Sequence, residues 1–222
     1  MEPISLEPAV LQSIDMGNIW SFLGKILVGY TQHDAETSKA IFHNAVGIVG
    51  SLIRLRRDLV VSTLPHLAMI LCQLIASMRR PRPHLGAKQN SVVTDTLPQW
   101  INPAAPLTTV EGIALARLLS TTTKKSVVKS FTDTRKVESL AKAFSKHAMF
   151  VLKAYIDVVN DPLCVVPLEI RKAIQPGLFA LCDMFNEHTR DALMASISST
   201  DGKATMKMLW KEYEKQRYVG KG

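Results

Sequence analysis

The chain has 222 residues, enough for one large domain or two small ones, and enough to bury a core without disulfides or a metal. Apolar residues make up 47% and charged residues 21%, which excludes wholesale disorder; aromatics at 6% favour helix packed on helix over an aromatic-rich sandwich. Lys and Arg number 27 against 19 Asp and Glu, a net charge of +8, which points to a polyanionic partner, either nucleic acid or an anionic membrane surface.

Helical periodicity dominates from the start. Residues 16–28 read as a first helix, with Ile19, Trp20, Leu23, Ile26 and Leu27 on one side. Residues 35–57 read as a second, with Ile41, Ala45, Ile48, Val49, Leu52 and Ile53 at helical spacing. Residues 59–78 hold no charged side chain and are long enough to cross a bilayer. Ser62, Thr63, His66 and Gln73 inside the stretch, and arginines on both sides of it, favour a buried core helix. Ser62 is a candidate cap three residues before Pro65; the alternative is a longer helix kinked at Pro65.

Residues 79–107 carry Pro81, Pro83, Pro98, Pro103 and Pro106, a density that breaks helices and marks a long connection, while Trp100 and Ile101 suggest that part of it docks on the body. Thr108 or Thr109 caps the next helix, through Leu115 and Leu119. A Ser/Thr-rich patch follows at 120–130, with Lys124, Lys125 and Lys129. Asp133 or Thr134 opens what reads as the longest helix, to about Asn160, with Val137, Leu140, Phe144, Ala148, Val151, Leu152 and Tyr155 in its apolar stripe. Another helix starts at Pro167 and meets Pro176, which predicts a kink or a split. A short helix capped by Thr189 spans roughly 190–197, a last one runs from about Asp201 to Tyr218, and Arg217 onward reads as a flexible basic tail. No stretch alternates long enough to predict a sheet. The reading is an all-α chain of antiparallel helix pairs, an α-solenoid of the HEAT or armadillo type or an irregular helical bundle, though no sequence repeat is visible. It divides as one helical domain over 1–222: N-terminal helices to 79, a Pro-rich basic loop at 80–107 and C-terminal helices from 108.

Charge is concentrated. Residues 1–53 carry a net −3, residues 54–130 a net +8, residues 131–200 balance, and residues 201–222 carry +3. Three groups are candidates for nucleic-acid contact. Arg54, Arg56, Arg57, Arg79, Arg80 and Arg82, with Lys88, offer bidentate donors to phosphate; two connections at opposite ends of a hairpin would split them into two clusters, and cations at helix C-termini are the structural alternative. Lys203, Lys207, Lys211 and Lys215 recur every four residues along one side of the last helix. Lys124 and Lys125 sit in the polar patch.

No catalytic or cofactor chemistry is indicated. The six histidines share no metal-ligand spacing with a Cys or carboxylate, and the phosphate-loop, dinucleotide, nucleophile-elbow and HExxH motifs are all missing from the sequence. Cys72, Cys164 and Cys182 are widely spaced and read as buried free thiols of a reducing compartment. Acids and prolines occupy the N-terminus, where a signal peptide needs basic residues and an apolar run.

The C-terminal third is the most distinctive. LFALCDMFNEHTRDALMASI at 178–197 and GKATMKMLWKEYEKQRYVGKG from Gly202, with the RxRRD…LPHL stretch at 54–67, resemble the nucleolar pre-ribosomal-associated proteins of 27S pre-rRNA processing, the "unhealthy ribosome biogenesis" type two family. The resemblance implies a non-catalytic nucleolar scaffold of the early large ribosomal subunit. Its partners would be pre-ribosomal RNA and assembly factors including a DEAD-box RNA helicase, with no cofactor, membrane or small-molecule substrate. It brings no catalytic residues. Family members are far longer than this chain, so the chain would correspond to a terminal piece, a fragmentary gene product or a separate short relative. The alternative is a helical module that binds only proteins.

Overall fold

The computed structural model describes residues 11–29, 34–128 and 136–219. Ten helices carry the described chain: α1 Ser13–Val28, α2 Ala35–Leu55, α3 Arg57–Val61, α4 Leu64–Ala76, α5 Ala87–Thr96, α6 Thr109–Thr121, α7 Ala141–Val159, α8 Leu168–Cys182, α9 Glu187–Ser196 and α10 Thr200–Val219. Each long helix buries the stripe its spacing dictates. In α2 this is Phe42, Ala45, Val49, Leu52 and Ile53, with Ile48 turned outward; in α7 it is Phe144, Ala148, Val151, Leu152 and Tyr155.

The helices stack in two rows. One row is α1, α4, α7 and the other is α2, α6, α8, with neighbours in a row packed closely together. Neighbours in a row run parallel, as their paired residues show. His43 bonds Glu111, Gly50 faces Leu118 and Arg57 bonds the Lys124 carbonyl, so the α2–α6 pairing holds a nearly constant offset of 67 or 68 residues. Trp20 to Thr63 and Gly24 to Met69 give the same sense for α1 and α4. Successive pairs α1/α2, α4/α6 and α7/α8 thus stack side by side, the arrangement of helical-repeat arrays. α10 touches both α7 and α8 and closes that end, with α9 against α7.

α6 and α8 meet at their backbones. A Cβ on Gly177 would lie 2.7 Å from the Ala116 Cα and 2.8 Å from its carbonyl oxygen; one on Gly112 would lie 3.1 Å from the Ala173 Cβ. Small residues at i and i+4 on both helices make this approach possible. Pro176 deprives the Lys172 carbonyl of its helical donor, and α8 is not split there but continues to Cys182, with Gly177 close against Ala116.

The proline-rich segment is more ordered than its composition predicts. The stretch between Pro83 and Pro98 is free of proline, and it forms α5. Beyond it the chain docks through Trp100, whose Nε1–H donates to the Leu27 carbonyl at 2.8 Å, one of the carbonyls that the end of α1 leaves without a helical donor. Ser38 donates to the Trp100 carbonyl from α2. The indole lies on Gly29, which has φ +65° and where a Cβ would come within 2.8 Å of the ring.

Other boundaries move by a few residues. The stretch at 59–78 is neither capped by Ser62 nor kinked at Pro65. α3 ends at Val61, Thr63 occupies the N-cap of α4, and Pro65 sits in its first turn, where the absent N–H leaves no bond unmade. Asn186, not Thr189, caps α9, accepting the Thr189 N–H at 2.8 Å. The helix expected from Asp133 or Thr134, which lie outside the described residues, begins at Ala141. Lys136–Glu138 instead forms β3, antiparallel to β2 at Ser126–Val128, because β-branched Val127, Val128 and Val137 favour extended pairing. β1 Arg80–Pro81 pairs with β4 Cys164–Val165. Both ladders are too short for alternation to announce them. Lys129, His33 and the chain beyond Val219 lie outside the described residues. Among the described residues, no helix is long and apolar enough to cross a membrane.

Gly177→Ala tests the α6–α8 contact. Helix propensity alone favours alanine by about 1 kcal/mol, but the clash with Ala116 predicts a net loss of about 1–3 kcal/mol in urea unfolding.

Candidate nucleic-acid interface

The six candidate arginines divide into two clusters separated by α4, whose 13 residues span about 20 Å. Arg54, Arg56 and Arg57 lie at the end of α2. The parallel pairing of α2 and α6 brings Lys124 and Lys125 to them, since the Arg57 guanidinium donates to the Lys124 carbonyl at 3.3 Å. Arg79, Arg80 and Arg82 follow α4 and meet the end of α7.

Most of these guanidinium groups hold the fold. Arg56 donates to the Leu11 carbonyl and pairs with Asp58 at 3.1 Å. Arg57 is buried. Arg79 pairs with Asp161 at 3.2 Å and donates to the Ala76 and Thr96 carbonyls, at the C-terminal ends of α4 and α5. A cation there meets both the orphan carbonyls and the negative end of the helix dipole. Arg80 donates to the Leu107 carbonyl at 2.7 Å; Arg82 donates to the carbonyls of Cys164 and Asp161. Together they staple the proline-rich segment to α7 and β4. Arg54 is exposed and, among the described residues, bonds only within its own helix, to the Gly50 carbonyl and Ser51.

The lysines are arranged differently. Lys203, Lys207, Lys211 and Lys215 all lie exposed on α10, on the side away from its buried Met206, Leu209 and Tyr213. None of them forms an ion pair among the described residues. Tyr213 anchors the helix, donating to Asp183 at 2.6 Å. α10 packs across α8, with Gln175 against Glu212 and Asp183 against Tyr213. Lys124 and Lys125 are likewise exposed, at the C-terminal end of α6 in the same row.

Among the described residues, no three His, Cys, Asp or Glu side chains gather as a metal site. Burial pushes the Cys72 and Cys164 thiols up to about 11 and Cys182 to about 12, so none is a thiolate at neutral pH. Glu111 is tied into the fold: burial raises its pKa, but Thr108 and His43 outweigh that and hold it below the ordinary value.

A model of the Urb2/Npa2 family matches residues 3–221. The chain belongs to that family. Neither a curated protein nor a solved structure matches it. Membership implies a role in ribosome biogenesis for this Urb2/Npa2 chain, and its helical architecture is in keeping with the resemblance carried by the C-terminal third.

Charged residues that sequence reasoning passed over are Arg171 and Lys172 of α8. With Tyr155, Gln175, Thr205 and Glu212 they line a pocket of about 200 Å³ between α7, α8 and α10. The Arg-Lys pair in a helical stripe carries no signal of its own; only the docking of α10 encloses it. A second groove, of about 520 Å³, lies between α1 and α2, flanked by Phe22 and Ile48.

The arginine staples predict acid sensitivity. Partial burial raises the Asp161 carboxyl, but the Leu163 and Cys164 contacts and Arg79 outweigh it, leaving the pKa below its usual value. The stabilisation is therefore present above the unfolded carboxylate pKa of about 3.9 and is lost as pH falls through the depressed folded value. Asp161→Asn should cost about 1–3 kcal/mol at neutral pH and flatten the acid limb of the stability profile, read by circular dichroism.

Proposed function

We propose that this chain is a non-catalytic nucleolar assembly factor of the early large ribosomal subunit, acting in 27S pre-rRNA processing. As one helical unit it would hold pre-rRNA together with other assembly factors, a DEAD-box RNA helicase among them. The observation that carries the biogenesis reading is the family match across residues 3–221. RNA contact is supported by the lysine row on α10 and by Lys124 and Lys125, which are exposed and point their charge at solvent. Phosphate contacts by such side chains position a nucleic acid without reading its sequence. Arg54 belongs with this surface, whereas Arg56, Arg57, Arg79, Arg80 and Arg82 contribute chiefly by holding the helices that present it.

Ultraviolet crosslinking in cells, with sequencing of the attached RNA, tests the reading: discrete reads in large-subunit precursor rRNA are expected. In vitro, reversing Lys203, Lys207, Lys211 and Lys215 to Glu should leave the fold intact and lower the salt slope of single-stranded RNA binding by about 3, from about 0.7 per phosphate contact. Association with assembly factors but no crosslinked RNA would leave a purely protein-binding module.

A further inference from the structure

The pocket between α7, α8 and α10 combines features that the lysine surface lacks. Arg171 lines it, and neither hydrogen-bonds nor ion-pairs its guanidinium to any described residue; its Nε is buried with no acceptor. Tyr155, only 6% exposed, lines the same pocket beside it, and its hydroxyl makes no hydrogen bond to a described residue. Lys172, exposed, stands at the margin. The one carboxylate in the lining, Glu212, already accepts from Gln175. Thr205 spends its hydroxyl proton on Asn160. That leaves three donors without a described acceptor, two of them cations. Such a pocket complements an acceptor-rich, anionic group, and a guanidinium is built to take one in bidentate fashion.

The rim adds a second condition. Leu168 is 54% exposed and Met208 is 64% exposed, and both belong to the pocket lining. A phosphodiester backbone offers nothing aliphatic to cover them. A protein segment satisfies both conditions at once, with an acidic side chain for Arg171 and aliphatic neighbours for Leu168 and Met208.

We propose that the α7–α8–α10 pocket is a docking site for an acidic-aliphatic peptide segment of a partner protein, one Asp or Glu engaging Arg171, Lys172 and the Tyr155 hydroxyl while flanking aliphatic side chains cover Leu168 and Met208. Its α10 residues, Thr205, Met208, Leu209 and Glu212, are not those of the lysine row. It does not rest on RNA binding.

The test uses the full chain and a phage-displayed library of short random peptides, selected on the wild type and counter-selected on Arg171→Gln. The enriched peptides are expected to share an Asp or Glu flanked by Leu, Ile, Val or Met. A synthetic copy should shift the Met208 methyl resonance, and its affinity should fall about tenfold or more in Arg171→Gln and on amidation of its acid. If Arg171→Gln fails to fold by circular dichroism, Lys172→Glu and Met208→Glu, both at exposed positions, carry the same expectation of lost binding. Enrichment indifferent to these substitutions overturns the proposal. So does a uridine oligonucleotide that moves the Met208 methyl at lower concentration than the peptide, which would make the pocket an RNA phosphate site.

Discussion

The close approach of α6 to α8 sets the geometry around it. Where Gly112 and Ala116 meet Ala173 and Gly177, two helices touch backbone to backbone, and dispersion contacts there are dense because no long side chain intervenes. α6 also packs on α2 through a parallel register from His43–Glu111 to Arg57–Lys124. One row is thereby fixed in spacing and direction. The second row follows, since α4 and α7 fill the opposite side of a continuous core that includes Trp20, Phe42, Leu71, Phe144 and Leu178. α10 can close the end only because both α7 and α8 are in place.

That frame divides the positive charge into two kinds of work. Arginine, with a planar fork of donors, is used where carbonyls at helix ends and in the connections need partners: Ala76 and Thr96 at helix ends, and Leu107, Cys164 and Lys124 between helices, all receive a guanidinium. Lysine, a compact and strongly hydrated charge, is left on the outside of α10 and at the end of α6. A count of basic residues treats the two alike. The fold separates most of them, because an unbonded cation is costly where it is buried or half-buried, and arginine can make several hydrogen bonds from one position.

Much of the architecture was legible. Amphipathic spacing located the long helices, a threonine cap at Thr108 or Thr109 marked the start of α6, and Trp100 with Ile101 announced that the proline-rich connection docks. The stacking of pairs was harder to see. Successive units differ in length because α5 and the Trp100 segment are inserted into one and the β2–β3 hairpin into the next, so no constant period survives in the sequence. The persistence of α8 through Pro176 was hidden for another reason: local propensity argues for a break, and the contact that holds the helix together comes from a residue 60 positions away, Ala116.

Sequence by itself determined what is local: which segments are helical, which faces are apolar, where the charge lies along the chain, and the family to which the pattern belongs. These follow from a period of 3.6 and from residue chemistry, and need no knowledge of neighbours. Tertiary structure alone decided which cations are committed and which are free to meet a partner, and it alone assembled Tyr155, Arg171 and Met208 around one pocket. Those outcomes depend on the parallel register of helices tens of residues apart, and register is set by packing and close backbone approach rather than by any property of a single segment.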